Sequence, residues 1–145
     1  MAKYKLTMKP LLIIFLLLSA KLSFAQTGAV PKGLQTAFSG VWERNEKYGI
    51  NTVSISFEPG KDYAIFKDIG NGMAPPRIFH AVLKGKIFVI PPQKEKNDYI
   101  ELEVIKGRLH LRNRPAAWEE KEKRIKAANG KFEEKVFKRA KPYSS

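Results

Sequence analysis

Gly40-Val41-Trp42 is the stretch that decides the fold, because a short apolar turn ends there and the first extended run begins. Glycine lets two backbone segments approach closely, and tryptophan offers a large apolar body that can plug one end of a β-structure. Just before this stretch, Leu34 stands four residues ahead of Phe38, which predicts one helical turn closing onto the core. We therefore expect Gly40 and Trp42 to have structural roles at one end of a sheet.

The next run, residues 50–58, alternates between apolar and polar side chains. Val53, Ile55 and Phe57 share one face, and the polar residues between them share the other. A two-residue alternation of this kind predicts a strand that is buried on one face only.

The clearest hairpin of the sequence joins residues 100–105 to residues 108–113 through Lys106-Gly107. A two-residue turn gives it an apolar face, on which Val104 pairs with Leu109 and Leu102 with Leu111. On its other face acids oppose bases, Glu103 with His110 and Glu101 with Arg112. Cross-strand pairs of this kind each contribute about 0.2–1 kcal/mol, so both faces favour the same register.

A second hairpin is predicted for residues 77–83 and 86–90, with Lys84-Gly85 as its turn. That turn places Val82 opposite Ile87 and His80 opposite Val89. Both faces of this pair are apolar, which predicts a central position in the sheet and a packed His80.

The chain after Pro115 changes character. Residues 117–128 are rich in Ala, Glu, Lys and Arg and place Trp118 and Ile125 near one stripe, which predicts a helix. Residues 131–140 fit either a helix or a strand; we favour a strand, because an open meander needs its edge covered.

Together these patterns predict a mainly β protein with about eight short strands joined by tight turns. The fold class we expect is an up-and-down antiparallel β-barrel, or a strongly curved meander sheet, with one late α-helix.

The first 25 of the 145 residues have the pattern of a cleaved secretory signal peptide. Three lysines precede the apolar run of residues 11–18, and Ser23-Phe24-Ala25 offers small residues for cleavage after Ala25. An uncleaved N-terminal anchor is the alternative. We expect a single domain over residues 26–145, located in the periplasm or outside the cell.

The sequence contains no cysteine, which excludes disulfides, thiolate catalysis and thiolate metal sites. It also excludes a lipid-modified cysteine after the signal peptide. The domain must therefore be stabilised by a hydrophobic core, for which its length suffices.

The net charge of +13 is unevenly distributed. Residues 26–105 are nearly neutral, whereas basic side chains clearly outnumber acidic ones in residues 106–145. Such a segment can dock on an anionic envelope component, or it can be a solvated surface. The candidate docking residues are Arg108, Arg112, Arg114, Lys123, Arg124 and Lys126.

Gly40-Val41-Trp42 resembles the Gly-x-Trp motif of the lipocalin superfamily. Residues 53–63 are similar to the hairpin that follows this motif in small secreted bacterial lipocalin-like domains. The resemblance implies an up-and-down barrel and a small apolar ligand. It also implies that an arginine near the last strand, which would be Arg139, packs over Trp42.

Catalytic chemistry is not indicated by the sequence. Its two histidines, His80 and His110, have no metal-binding spacing, and Glu101 with Glu103 is better explained as part of a strand ladder. No nucleophile elbow, phosphate loop or dinucleotide fingerprint is present. We expect no enzyme, no cofactor and no metal. Aromatic residues interleave with the basic ones, but we do not expect a secreted protein to bind nucleic acid.

Three functions follow, in order of preference. The first is an exported, non-enzymatic, lipocalin-like protein that binds a small apolar or amphipathic ligand. Its ligand-binding residues would be Val53, Ile55, Phe57, Leu102, Val104, Leu109 and Leu111. The second is an envelope protein that docks on an anionic surface through its basic C-terminal third. The third is an enzyme that pairs a histidine with a carboxylate.

Overall fold

The computed structural model of the chain describes residues 28–118, 125–127 and 131–141. The expected signal peptide lies outside these residues. The elements in chain order are α1 (Lys32–Phe38), β1 (Gly40–Glu46), β2 (Gly49–Ser56), β3 (Tyr63–Gly70), β4 (Arg77–Lys84), β5 (Ile87–Ile90), β6 (Tyr99–Ile105), β7 (Arg108–Arg114), β8 (Ala116–Trp118), β9 (Ile125–Ala127) and β10 (Glu133–Arg139).

Eight of these strands form a closed antiparallel barrel in the order β1-β10-β7-β6-β5-β4-β3-β2. From β1 to β7 every strand pairs with its neighbours in sequence, and β10 inserts between β7 and β1. The predicted up-and-down barrel is confirmed, and so is the strand expected within residues 131–140. Closure leaves the barrel no free edge, which is the physical advantage of placing a strand there.

The predicted late helix is wrong for the part of residues 117–128 that the structure describes. There β8 and β9 pair with each other in a separate two-stranded sheet, in which Ala116 is opposite Ala127 and Trp118 is opposite Ile125. Helix propensity is a weak preference that strand pairing can override, and in this segment it misled the prediction.

The two predicted hairpins have different outcomes. The β6–β7 register is confirmed at every predicted pair. In β4–β5 the turn is Gly85-Lys86 rather than Lys84-Gly85, so that Val82 is opposite Val89 and Lys84 is opposite Ile87. Gly85 has a φ of 65°, and glycine at the first central position is typical of a type II′ turn.

The inward faces of the strands pack into one hydrophobic core inside the barrel. Its fully buried side chains include Trp42, Phe66, Phe88, Leu102 and Phe137. On β4 the inward residues are odd-numbered, as Ala81 shows, so His80 points outward and is exposed. The prediction of a packed His80 is therefore wrong; its ring stacks on Tyr63, with 4.1 Å between centroids.

One end of the barrel is closed by α1, and we call it the closed end; β1, β3, β5 and β7 begin there. Phe38 at the end of α1 lies edge-on to Phe88, with 4.9 Å between ring centroids. The indole nitrogen Nε1 of Trp42 donates a hydrogen bond of 2.9 Å to the carbonyl oxygen of Phe38. The predicted helical turn over residues 34–38 is thus confirmed as part of α1. In the described part of the chain, no helix has both the length and the apolar character needed to span a membrane.

Candidate functional site

The opposite end of the barrel, where β2, β4, β6 and β10 begin, is open. There the inward-facing positions become polar. On β2 the residue two before buried Val53 is Asn51, and on β3 the residue two after buried Phe66 is Asp68. Because side chains alternate along a strand, both polar groups face the interior, directly above the apolar layer.

Three other strands make the same change. Arg77 on β4 precedes inward-facing Phe79 by two residues, and Asn113 on β7 follows Leu111 by two. Lys135 on β10 precedes buried Phe137 by two. The same two-residue period that fills the core therefore also builds a ring of polar side chains at the open end.

This ring surrounds a cavity of about 420 Å³, which we call the mouth cavity. The volume lies within the usual range of small-molecule sites. Its floor is apolar and consists of Val53, Phe66, Ile100, Leu111 and Phe137. Its rim is polar and consists of Asn51, Asp68, Arg77, Gln93, Glu95, Lys96, Asn97, Asp98, Asn113 and Lys135.

An ion pair connects two sides of the rim. A guanidinium nitrogen of Arg77 lies 2.6 Å from a carboxylate oxygen of Asp68, its direct partner on the neighbouring strand. The other terminal nitrogen of Arg77 donates a hydrogen bond of 3.3 Å to the carbonyl oxygen of Lys96. Arg77 therefore neutralises Asp68 and also attaches the loop between β5 and β6 to the barrel wall.

That loop is held by its own hydrogen bonds. The amide nitrogen of Asn97 and that of Gln93 each donate to the other residue's carbonyl oxygen at 3.1 Å. The side-chain nitrogen Nδ2 of Asn97 donates to the carbonyl oxygens of Pro91, at 2.9 Å, and Asp98, at 2.8 Å. These bonds give the loop a defined shape over one side of the mouth cavity.

Lys96, which is exposed on the loop, and Lys135 are the rim cations that form no ion pair among the described residues. Lys135 is the more enclosed of the two. It is half-buried on the inward face of β10, opposite Leu111 in the register, and next to the apolar floor. A partly desolvated ammonium group in such a place can bind a polar group of a ligand.

The structure brings only two of the seven predicted ligand-binding residues to the cavity, Val53 and Leu111. Ile55, Leu102 and Leu109 are fully buried in the packed core. Phe57 and Val104 are half-buried and pack against that core. The ring centroids of Phe57 and Phe88 are 5.7 Å apart. The prediction identified the inward faces but included positions that are too close to the closed end.

The polar rim was missed by the sequence analysis. Its signal was present, because Asn51, Asp68 and Lys135 continue the same two-residue phase as the core residues beside them. A polar residue in an inward phase indicates a place where the interior becomes accessible to solvent.

The candidate docking residues are only partly described. Arg112 forms ion pairs with Glu103 and Glu134. The Arg114 guanidinium carbon lies 4.9 Å from the Tyr99 ring centroid and 4.7 Å from that of Phe132. Arg108 is exposed at the start of β7. Lys123 and Arg124 lie outside the described residues, and of Lys126 only the strand position in β9 is described.

The predicted structural residues meet at the closed end. The guanidinium carbon of Arg139 lies 4.3 Å from the centroid of the Trp42 ring. Its nitrogens donate hydrogen bonds to the carbonyl oxygens of Ala37, at 2.9 Å, and of Ser39. Gly40 has a φ of 128°, and a Cβ there would lie 2.8 Å from Arg139 Nη1. The positive φ favours glycine at this position, and a side chain here would also displace the end of the Arg139 side chain.

The remaining titratable candidates form surface contacts. His110 Nδ1 lies 3.0 Å from a carboxylate oxygen of Glu134 on β10, and Arg112 reaches Glu103 diagonally. The predicted direct side-chain pairs of the β6–β7 hairpin are therefore replaced by these contacts, although the backbone register is the predicted one. No cluster of three potential metal ligands occurs among the described residues.

Two tyrosines have raised pKa values. Burial, together with the hydrogen bond of 3.0 Å from its hydroxyl to Glu101, raises the pKa of Tyr99. The hydrogen bond of 3.1 Å from Tyr63 to Glu58 is the main cause that raises the pKa of Tyr63. Neither tyrosine lines the mouth cavity.

Comparisons of the chain with protein families, with curated proteins and with solved structures find no match.

Proposed function

We propose that this protein is an exported, non-enzymatic, lipocalin-like carrier that binds one small amphipathic molecule in its mouth cavity. The observation that carries the proposal is the change from an apolar floor to a polar rim within one two-residue step of the strands. The expected signal peptide supports a location in the periplasm or outside the cell.

The arrangement fits a molecule with an apolar part and a polar part. The half-buried side chains of Ile100 and Leu111 offer apolar surface at the floor, where burying a ligand's hydrocarbon part yields about 25 cal/mol per Å². Asn113 and Lys135 offer hydrogen-bonding groups at the rim, where the ligand's polar end can keep its bonds.

The packed interior limits what can be bound. Trp42, Phe88 and Leu102 fill the barrel between the cavity and α1, so the ligand occupies only the open half. We therefore expect a compact ligand that inserts from the open end and leaves its polar end near solvent.

The experiment is a titration of the mature protein with N-phenyl-1-naphthylamine, a neutral probe that fluoresces in apolar surroundings. We expect saturable binding of one probe per protein. Leu111→Trp, which fills the cavity from its floor, should weaken binding at least about tenfold, or 1.4 kcal/mol.

The matched control is Val41→Trp, which adds the same ring to an exposed position of β1. This variant should bind the probe as the unmodified protein does. Absence of saturable binding to the unmodified protein, or unchanged binding to folded Leu111→Trp, would contradict the proposal. Circular dichroism checks that both variants keep their strand content.

Docking on an anionic surface through the basic C-terminal third remains the second candidate. It rests on the excess of basic residues in 106–145, and Arg108 is the described member whose side chain is freely exposed. Binding of this kind should weaken steeply with salt, so salt-insensitive retention on anionic vesicles would contradict it.

A further inference from the structure

We infer that the bound molecule carries an anionic head group, and that the ammonium group of Lys135 binds it. The inference rests on the proposed function and adds the sign of the ligand's charge. It follows from how the charged groups of the mouth cavity are paired.

Lys135 lies on the inward face of β10, two residues before the inward-facing Phe137. Its side chain is half-buried at the cavity wall. A charge that is partly removed from water and has no counter-ion is unfavourable, and an anion that enters beside it restores the lost interaction.

The acids of the rim do not supply that counter-ion. Asp68 is paired with Arg77 at 2.6 Å. Asp98 already has an interaction of its own. Glu95 is exposed on the loop, and no ion pair joins its carboxylate to Lys135 within 4.0 Å.

On β10 itself, Glu133 precedes Lys135 by two residues on the same face. Glu133 is exposed and does not line the cavity. No ion pair joins its carboxylate to the ammonium group of Lys135 within 4.0 Å. The unpaired charge that a ligand meets at the inward wall is therefore positive.

The apolar floor of the cavity determines the chemistry of the ligand beyond its head group. Phe66, Leu111 and Phe137 line the cavity beneath Lys135 and offer no charged group. A single-chain amphiphile can place its hydrocarbon chain on this floor while its head group contacts the ammonium. A carboxylate and a phosphate monoester share this chemistry.

The test compares three probes with the same ten-carbon chain: decanoate, 1-decanol and decylammonium. Each is titrated by calorimetry into the mature protein at pH 7.5 and physiological salt. We expect decanoate to bind about tenfold more tightly than decanol, and decylammonium to bind most weakly.

Lys135→Met keeps the length and apolar character of the side chain and removes the charge. It should weaken decanoate binding about tenfold and decanol binding by a much smaller factor, because the alcohol loses only a hydrogen bond to a neutral group. Lys138→Met is the matched control, because Lys138 lies on the same strand and is exposed. It should leave the affinity for all three probes unchanged.

A second readout is the pKa of the ligand's own carboxyl group. The carboxyl carbon of ¹³C-labelled decanoate, followed by NMR during a pH titration, should show a lower pKa when bound than when free. Hydrogen bonds from the rim amides also lower this pKa, so a contribution of the ammonium group requires a smaller shift in Lys135→Met.

The outcomes separate the two proposals. Equal affinity for decanoate and decanol, stronger binding of decylammonium, or unchanged decanoate binding by folded Lys135→Met overturns the anionic head group and leaves the carrier intact. Absence of binding of all three probes, together with absence of naphthylamine binding, overturns the carrier as well.

Discussion

The closed and open ends of the barrel are built by the same strands and differ in what those strands place inward. At the closed end the inward residues are apolar, and α1 covers them with Phe38. At the open end the same positions carry Asn51, Asp68 and Lys135, which line an accessible cavity. The difference shows that one regular fold can separate a tightly packed half from a half with an accessible cavity along its axis.

The largest effect expected from this comparison is on stability. Phe38→Ala removes a fully buried ring at the closed end and should lower the free energy of unfolding by about 3–5 kcal/mol. Met73→Ala, at the open end, alters a side chain that is 85% exposed and should change it by less than about 0.5 kcal/mol. Urea unfolding measures both. Similar losses for the two variants would contradict the division into halves.

The next effect concerns the attachment of α1. Arg139→Met removes two hydrogen bonds to the end of the helix and the contact with the Trp42 ring. We expect a loss of about 1–2 kcal/mol, because the arginine is partly solvated, and faster amide exchange in α1. Arg108→Met removes an exposed arginine at the same end and serves as the control. Unchanged exchange in α1 would show that Arg139 does not hold the helix.

A smaller effect on stability, coupled to a gain in binding, is expected at the open end. Asp68→Asn breaks an exposed ion pair and should cost less than about 1 kcal/mol. It also leaves Arg77 without its counter-ion beside the cavity. Decanoate should then bind about threefold more tightly, which calorimetry can measure. Weaker decanoate binding in this variant would argue against a favourable positive rim.

The smallest effect is a pH dependence at Tyr99. Its raised pKa means that the folded state favours the neutral phenol. The stability that it contributes is present below the ordinary tyrosine pKa of about 10 and decreases as pH rises through the raised value. Unfolding free energies measured upward from about pH 9 should therefore fall less steeply in Tyr99→Phe than in the unmodified protein. The same slope in both would contradict the shift.

The two Lys-Gly hairpins show which parts of a strand pairing can be predicted from the sequence. At Lys106-Gly107 both residues have positive φ, 49° and 73°, and the turn lies where it was predicted. At Lys84-Gly85 the turn is one residue later, and the pairing shifts by two. This shift keeps every inward residue inward, so the hydrophobic pattern favours both registers equally. Only the turn geometry decides between them.

The candidate site could be predicted only in part, for a related reason. The inward phase of Val53 and Leu111 follows from two-residue alternation. Which inward residues are packed and which face a cavity depends on where α1 covers the barrel. That is a contact between distant segments, because Arg139 and Ala37 are 102 residues apart. The prediction of a late helix was wrong for the same reason. The β8–β9 pairing depends on a contact between two segments and is not a property of either segment alone.

The insertion of β10 between β7 and β1 has a consequence for how the chain acquires its structure. The seam joins Trp42 to Arg139, so the ring of strands stays incomplete until the chain is available as far as β10. A pairing of this long range raises the contact order of a fold, and a higher contact order slows folding. A truncated product that lacks the last strand would expose two unpaired edges, and we expect it to aggregate rather than remain as a smaller stable unit.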